Sequence, residues 1–300
     1  MINKRISAIV AVFMISFVLL SGCGKSYVFS NDPRIPSIKA NASHMFIYDM
    51  CNDSCTVFSA DDSDVVYPAS TTKLLTALLS LEILPPETLI TPGDEVYFAG
   101  EHSSSAYIRP HHTLTLEMLI EGMLIPSGND AAYAIAAACG RVIAENEKLP
   151  SEDSVRVFVD EMNNFAAEIG CTSSNFTTPD GLAGKEHYST TNDMAKIARM
   201  AVDNEIIMRY AGLLSDDVVY ASGHTNKWVN TNEQLDPSSK FYNEYVNGLK
   251  TGSLTGSYSI ITTYNDGENN IIIGVFGAPT ENARYVDTSA LISAYIKSKK

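Results

Sequence analysis

Strand-like segments stand at both ends of this chain and helical periodicity fills its middle, an order that restricts the fold more than any single motif. Residues 44–49 and 56–59 form a predicted short antiparallel pair. Past residue 215 or so, period-two patterning returns at 218–221, 245–250, 257–264 and 270–277. Between them lie predicted helices: the run after Lys73, ending before Pro85-Pro86; 114–124, stopping at Pro126; the Ala-rich 130–144; and 151–169. Phe158, Met162, Phe165 and Ile169 share one stripe of the last of these. Thr190-Thr191-Asn192-Asp193 opens a further helix over 194–202, and 281–297 closes the chain as another. Residues 95–99 pattern as a strand and 101–105 as a polar loop. Strands so far apart complete one sheet only by distant pairing. The expected class is therefore α/β (α+β), an antiparallel sheet flanked by helices, with an inserted helical lobe.

One stretch carries reactive chemistry. Pro68 sets the approach to an apolar helix, Ser70 lies at or near its start, and Lys73 follows three residues on, one turn away on the same face. A hydroxyl beside an amine at the positive end of a helix dipole favours the neutral amine. A neutral lysine can take the serine proton, which makes Ser70 an activated nucleophile. Two more motifs follow in order. Ser127-Gly128-Asn129, between two helices, presents a hydroxyl and an amide side by side on a tight turn. Lys250-Thr251-Gly252 lies in a predicted strand, where Gly252 permits close approach of another backbone, Thr251 offers a hydroxyl and Lys250 a positive charge.

The ends, charge and cysteines bound the setting. Lys4 and Arg5 precede an apolar stretch and then Leu20-Ser21-Gly22-Cys23, which resembles a bacterial lipobox. The apolar stretch, about 15 residues, is short for a span of ~20. Residues 1–22 are thus expected as a lipoprotein signal peptide, with Cys23 lipidated, 23–42 as a tether, and 43–300 as a single extracytoplasmic domain without a second β-rich domain. The net charge of −14 becomes −16 without the leader, which excludes nucleic acid as a partner and adhesion to anionic lipid by charge. Membrane contact should come from the acyl chains. Cys51 and Cys55 flank an expected hairpin tip and could pair across it, while Cys139 suits a small core position. His111-His112 lacks a matching ligand pair, so no metal and no cofactor are expected.

S-x-x-K, then S-x-N, then K-T-G in an exported chain resembles the serine-type D-Ala-D-Ala carboxypeptidases, the low-molecular-mass penicillin-binding protein family. The likeness runs from about residue 43 to 297. It includes Asn175-Phe176 with Pro179-Asp180-Gly181-Leu182, His187-Tyr188-Ser189-Thr190 with Asp193, Asn230-Thr231-Asn232, and Gly277-Ala278 followed by Arg284. The resemblance implies a β-lactamase/penicillin-binding transpeptidase-like fold acting on peptidoglycan pentapeptide stems that end in D-Ala-D-Ala, with β-lactam antibiotics as acylating inhibitors. It makes Ser70 the nucleophile and Lys73 its base, kept neutral by burial and by the charge of Lys250. It makes the Ser70 and Ser253 N–H groups the oxyanion hole, Ser127 a proton relay, and Asn129 a clamp on the peptide amide. Lys250 and Thr251, with Arg284, would receive the terminal carboxylate, and the 248–253 strand would take the substrate by β-addition. His187 would be structural. Ser253-Leu254-Thr255-Gly256-Ser257-Tyr258 departs from the family's longer continuation after K-T-G. The alternatives are a class A-like serine β-lactamase, for which no glutamate stands in an E-x-x-L-N loop, and a non-catalytic penicillin-binding or sensory module.

Overall fold

The computed structural model of the protein describes residues 27–29, 38–59, 64–100 and 103–300. Cys23 and the expected leader lie outside the described residues. The main sheet has the order Val246–Leu254, Ser257–Asn265, Asn270–Ala278, His44–Asp49, Ser54–Ser59, with every neighbour antiparallel. The N-terminal pair is thus docked on the C-terminal meander, with Ile47 opposite Ile273. Both faces of the sheet are covered. Phe46, Leu249, Ile261, Ile272 and Phe276 turn to the helical lobe, while Met45, Ile47, Ile260, Ile271 and Ile273 meet the closing helix Glu281–Ser298. Double-sided burial is why the 270–278 strand reads Ile-Ile-Ile rather than alternating. Gly274 has a packing reason: a Cβ there would lie 2.1 Å from the Phe46 ring.

The helical lobe is the inserted middle. The helix Lys73–Ile83 is buried along most of its length among Leu116–Leu124, Asn129–Ile143, Ser151–Glu168 and Thr191–Val202. The last of these is capped by the Thr190 hydroxyl, which accepts from Asp193 N–H at 3.1 Å. Buried Asp193 does not complete the reciprocal box; its carboxylate instead accepts from Ser173 N–H at 2.9 Å and the Ser174 hydroxyl at 2.8 Å.

Three segments depart from the sequence pattern. Residues 94–97 form a 3₁₀ turn rather than a strand. Glu95, fully buried, draws the chain round by accepting from Gly93 N–H, the Ser151 hydroxyl and Arg141. The 218–221 pattern belongs to Ser215–Val219, which pairs with Thr225–Val229 in a separate hairpin rather than joining the main sheet. Trp228 anchors that hairpin on the lobe, buried and donating to Ala106 O at 3.1 Å. Order also begins ahead of residue 43. Tyr27–Phe29 pairs with Ile38–Ala40, and buried Asp287 of the closing helix accepts from the Asn41 and Ala42 N–H groups at 2.9 and 2.7 Å.

Cys51, Cys55, Cys139 and Cys171 are all free thiols, so no bond closes the hairpin tip; Cys139 is a buried core residue. Among the described residues no helix is long and apolar enough to cross a membrane.

Candidate active site

The three motifs, far apart in the chain, converge on one groove. Ser70 lies in a 3₁₀ turn, Ala69–Thr72, that runs directly into the helix Lys73–Ile83. Thr71 ties the turn down, its N–H and hydroxyl both donating to Pro68 O, at 3.2 and 2.7 Å. Ala69 holds φ at +51°, in the left-handed region where a side chain is disfavoured. The turn is over-determined from below: a Cβ on Gly181 would lie 1.9 Å from Ala69 O, so only glycine lets the 179–182 segment back against it.

Lys73 is completely buried, and its Nζ donates to Ser70 Oγ at 2.8 Å, Asn129 Oδ1 at 2.6 Å and Asp180 O at 3.2 Å. Burial pushes the ammonium down from 10.5 to about 8, against the opposing pull of Asp180 and Asp130. At 1.36 kcal/mol per pH unit, holding this amine near neutrality costs the fold about 3 kcal/mol. A group kept at such a cost in a groove is a functional candidate. Burial, rather than the charge of Lys250, is the leading cause. The influence of one amine on the other falls on Lys250, which is driven well below its ordinary range by burial first, then by Lys73 and Arg284.

Ser127 is buried with φ at +62°, the sharp turn that the S-x-N motif predicts, and Asn129 begins the following helix. Asp130 braces the turn: its carboxylate accepts from the Ala106 and Ile108 N–H groups at 2.8 and 2.9 Å and from the Ser105 hydroxyl at 2.7 Å. Asn129 N–H donates to Ser104 O at 2.8 Å, so the 103–108 loop forms one rim of the groove.

The opposite wall is the edge strand Val246–Leu254, which carries K-T-G. A Cβ on Gly252 would lie 2.7 Å from Pro68 O and 3.2 Å from Ser70 N, so glycine allows this strand to press on the nucleophile turn. Lys250 is buried, with Nζ donating to Thr251 O at 3.0 Å. Arg284 is buried too, not a surface residue of the closing helix. Its Nη1 donates to Gly252 O at 3.3 Å and Ser253 Oγ at 3.2 Å, and its Nη2 to Glu281 at 2.7 Å and the Tyr285 hydroxyl at 2.9 Å. Ser70, Asn129, Gly181, Ser253 and Tyr258 line a groove of about 440 Å³. A deeper recess of about 170 Å³ adds Ser127, Thr231, Thr251 and Arg284.

Some participants have contacts that the motifs do not assign. Thr231 shares a 2.5 Å hydrogen bond with the Thr251 hydroxyl, and its carbonyl accepts from Tyr285 OH at 3.1 Å. Asp180 contributes a main-chain oxygen, for which no side-chain pattern exists. His187 meets Thr177 and Thr72: it accepts from Thr177 N–H at Nδ1, so Nε2–H donates to Thr72 Oγ1 at 2.9 Å. Burial pushes its pKa down to about 4, and the neutral ring props the residue next to Lys73.

The family described as D-alanyl-D-alanine carboxypeptidase matches residues 30–280. The D-alanyl-D-alanine carboxypeptidase DacF of Bacillus subtilis (strain 168) is 28% identical over 294 residues, covering 95% of this chain and 69% of that protein. The curated relatives vary in length, and the chain spans 49–77% of two others it matches. Among solved structures, the Streptomyces K15 DD-transpeptidase aligns with a TM-score of 0.74 at 24% identity, over 86% of this chain and 97% of that one. Penicillin-binding protein D2 of Listeria monocytogenes, in its ampicillin-bound form, aligns with a TM-score of 0.67 at 26% identity, over 85% and 97%.

Proposed function

The chain belongs to the D-alanyl-D-alanine carboxypeptidase family, and on that premise we propose that it removes the terminal D-alanine from peptidoglycan stem peptides through an acyl-enzyme on Ser70. The observation that carries the proposal is a buried amine, near neutrality, 2.8 Å from the Ser70 hydroxyl. Ser70 Oγ attacks the carbonyl carbon of the last peptide bond while its proton passes to the Lys73 lone pair. The negative charge that develops on the carbonyl oxygen is met by the Ser70 and Ser253 N–H groups; such donors are each worth roughly 3–4 kcal/mol in comparable sites. When the C–N bond breaks, the proton held by Lys73 travels by way of Ser127 to the departing amine. Water then attacks the ester, Lys73 takes its proton, and Ser70 recovers its hydrogen.

Asn129 holds the peptide amide, and Lys250, Thr251 and Arg284 receive the terminal carboxylate. An arriving carboxylate favours the charged form of Lys250, which burial opposes. β-Lactams, as acylating inhibitors, would enter by the same attack and persist as esters. The sequence holds no E-x-x-L-N glutamate of the class A kind, and Glu161 lies on the Ser151–Glu168 helix, accepting from Asn164 at 2.9 Å. Rapid multiple-turnover hydrolysis of penicillin would therefore contradict the assignment and favour the β-lactamase alternative.

Intact-mass analysis of the wild type and Ser70→Ala, with benzylpenicillin and with diacetyl-Lys-D-Ala-D-Ala, tests it. A stable adduct and D-alanine release in the wild type, with both absent in Ser70→Ala, are expected. Penicillin acylation without D-alanine release would point to a binding or sensory module; no adduct at all would remove the nucleophile. Lipidation of Cys23 is supported by Leu20-Ser21-Gly22-Cys23 behind an apolar run and would tether the enzyme outside the cytoplasm. Labelled fatty acid that enters the wild type but not Cys23→Ser is the expected outcome.

A further inference from the structure

Away from the groove, the fold gathers three histidines that the sequence keeps apart. We propose that His111, His112 and His224 form a binding site for a divalent transition-metal ion of the zinc class, joining the tip of the 215–229 hairpin to the loop that borders the groove. One donor atom from each ring lies within 4.8 Å of the other two. Ring centroids are 4.3 Å apart for His112 and His224, 4.9 Å for His111 and His112, and 5.5 Å for His111 and His224. A tetrahedral ion with bonds of ~2.0–2.1 Å needs donor separations of roughly 3.4 Å. The rings must therefore close by about an ångström, which two exposed side chains can do by rotation. His111 and His224 are exposed and His112 is buried, so one ring anchors the site while two swing onto the ion.

The anchor is in the right chemical form. Arg109 N–H donates to His112 Nδ1 at 3.1 Å, which leaves a lone pair at Nδ1 and the proton at Nε2. Ligation through Nδ1 would exchange this backbone hydrogen bond for a metal without a change of tautomer. His112 is buried against the two neighbouring rings. Exposed Arg109 also presses on His112 and opposes a cation, but it acts through solvent, whereas imidazole ligation is a direct bond. Borderline ions such as zinc, nickel and copper suit imidazole; calcium and magnesium do not.

The contacts around the cluster say what an ion would do. The loop and the hairpin tip already exchange Thr113 N–H to Ser222 Oγ at 3.1 Å and Ser222 N–H to Thr113 O at 3.3 Å. Further along the loop, Ala106 O accepts from Asn226 and Trp228 at 2.8 and 3.1 Å. The same loop places Ser104 on the groove rim. A metal would be a further clasp on a segment that shapes substrate access. The inference does not depend on the chemistry assigned to Ser70.

The test is calorimetric titration of ZnCl₂ and NiCl₂ into the full chain, free of any polyhistidine tag, beside His111→Ala, His224→Ala and His224→Gln. One ion per chain with micromolar affinity is expected, weakened at least tenfold in every variant. Zinc should raise the melting temperature of the wild type alone, while the metal-free melting curves of all four proteins coincide. Cobalt(II) should show visible absorption bands of a low-coordinate nitrogen site in the wild type. Absence of binding at millimolar metal, or equal affinity in the wild type and His224→Ala, overturns the proposal.

Discussion

Acylation of Ser70 should rise with pH along a single limb whose midpoint lies near 8. The perturbation is the protonation state of Lys73, and its size follows from burial, which brings the amine from 10.5 to about 8. At pH 7 an ordinary lysine is neutral in about 0.03% of molecules and one titrating at 8 in about 9%, a gain of roughly 300-fold. If the neutral amine takes the Ser70 proton, the second-order rate with benzylpenicillin climbs about tenfold from pH 6 to 7. It climbs about fivefold from 7 to 8 and less than twofold from 8 to 9. The assay is stopped-flow acylation with a fluorescent penicillin in buffers of constant ionic strength, read at limiting reagent concentrations so that the free enzyme titrates. The sign is fixed by the mechanism, because deprotonation makes the base and activity is lost as pH falls. Lys73→Arg should be inactive across the range, since guanidinium stays charged. A rate flat from pH 6 to 9, or one still rising steeply beyond pH 10, would refute the reasoning: the amine would then be either uninvolved or ordinarily solvated.

Further outcomes follow from single contacts. Gly252→Ala adds a Cβ 2.7 Å from Pro68 O and should push the K-T-G strand off the nucleophile turn. Acylation should fall at least tenfold while stability drops by about 1–3 kcal/mol, measured by urea unfolding; unchanged acylation would show that the contact gives freely. Glu121, buried with Oε1 unpartnered, is pushed up to about 8 by burial and by Asp216. Its protonated form favours the fold, so stability present below pH 4.5 is lost as pH rises towards 8. Glu121→Gln should gain up to about 5 kcal/mol at pH 9 and little at pH 5, an upper bound at 1.36 kcal/mol per pH unit; equal differences at both pH values would contradict it. Arg284→Ala should weaken peptide turnover far more than penicillin acylation, because the strained β-lactam ring makes the attack less dependent on how the carboxylate is held. Equal losses would reduce Arg284 to a support for Gly252 and Tyr285.

Much of the site was legible because its chemistry is local in sequence. Ser70 and Lys73 are three residues apart, so the first helical turn alone brings them together. Ser127 and Asn129 flank one tight turn, and Lys250 to Gly252 follow one strand. The strand signal at both ends similarly announced a sheet closed by distant pairing. What sequence could not supply were contacts made by backbone or by chain-distant partners. The Asp180 carbonyl carries no residue signature, the Thr231–Thr251 pair needs the fold to meet, and His224 reaches His111 and His112 only through a hairpin. Residues 94–97 misled because the polar contacts of buried Glu95 outweighed a short β-like pattern, and 218–221 because alternation does not reveal which sheet a strand will join.

The position of His44–Asp49 has a consequence for how such a molecule comes into being. One of its flanks is completed only by Asn270–Ala278, near the far end of the polypeptide. A chain that emerges N-terminus first would therefore keep that edge open until residues 270–278 had appeared. Until then the sheet that carries the K-T-G strand is not joined to its N-terminal half. Anything that stalls emergence leaves a long, greasy, unpaired border available to neighbours, and chaperones at the exit would find their work there.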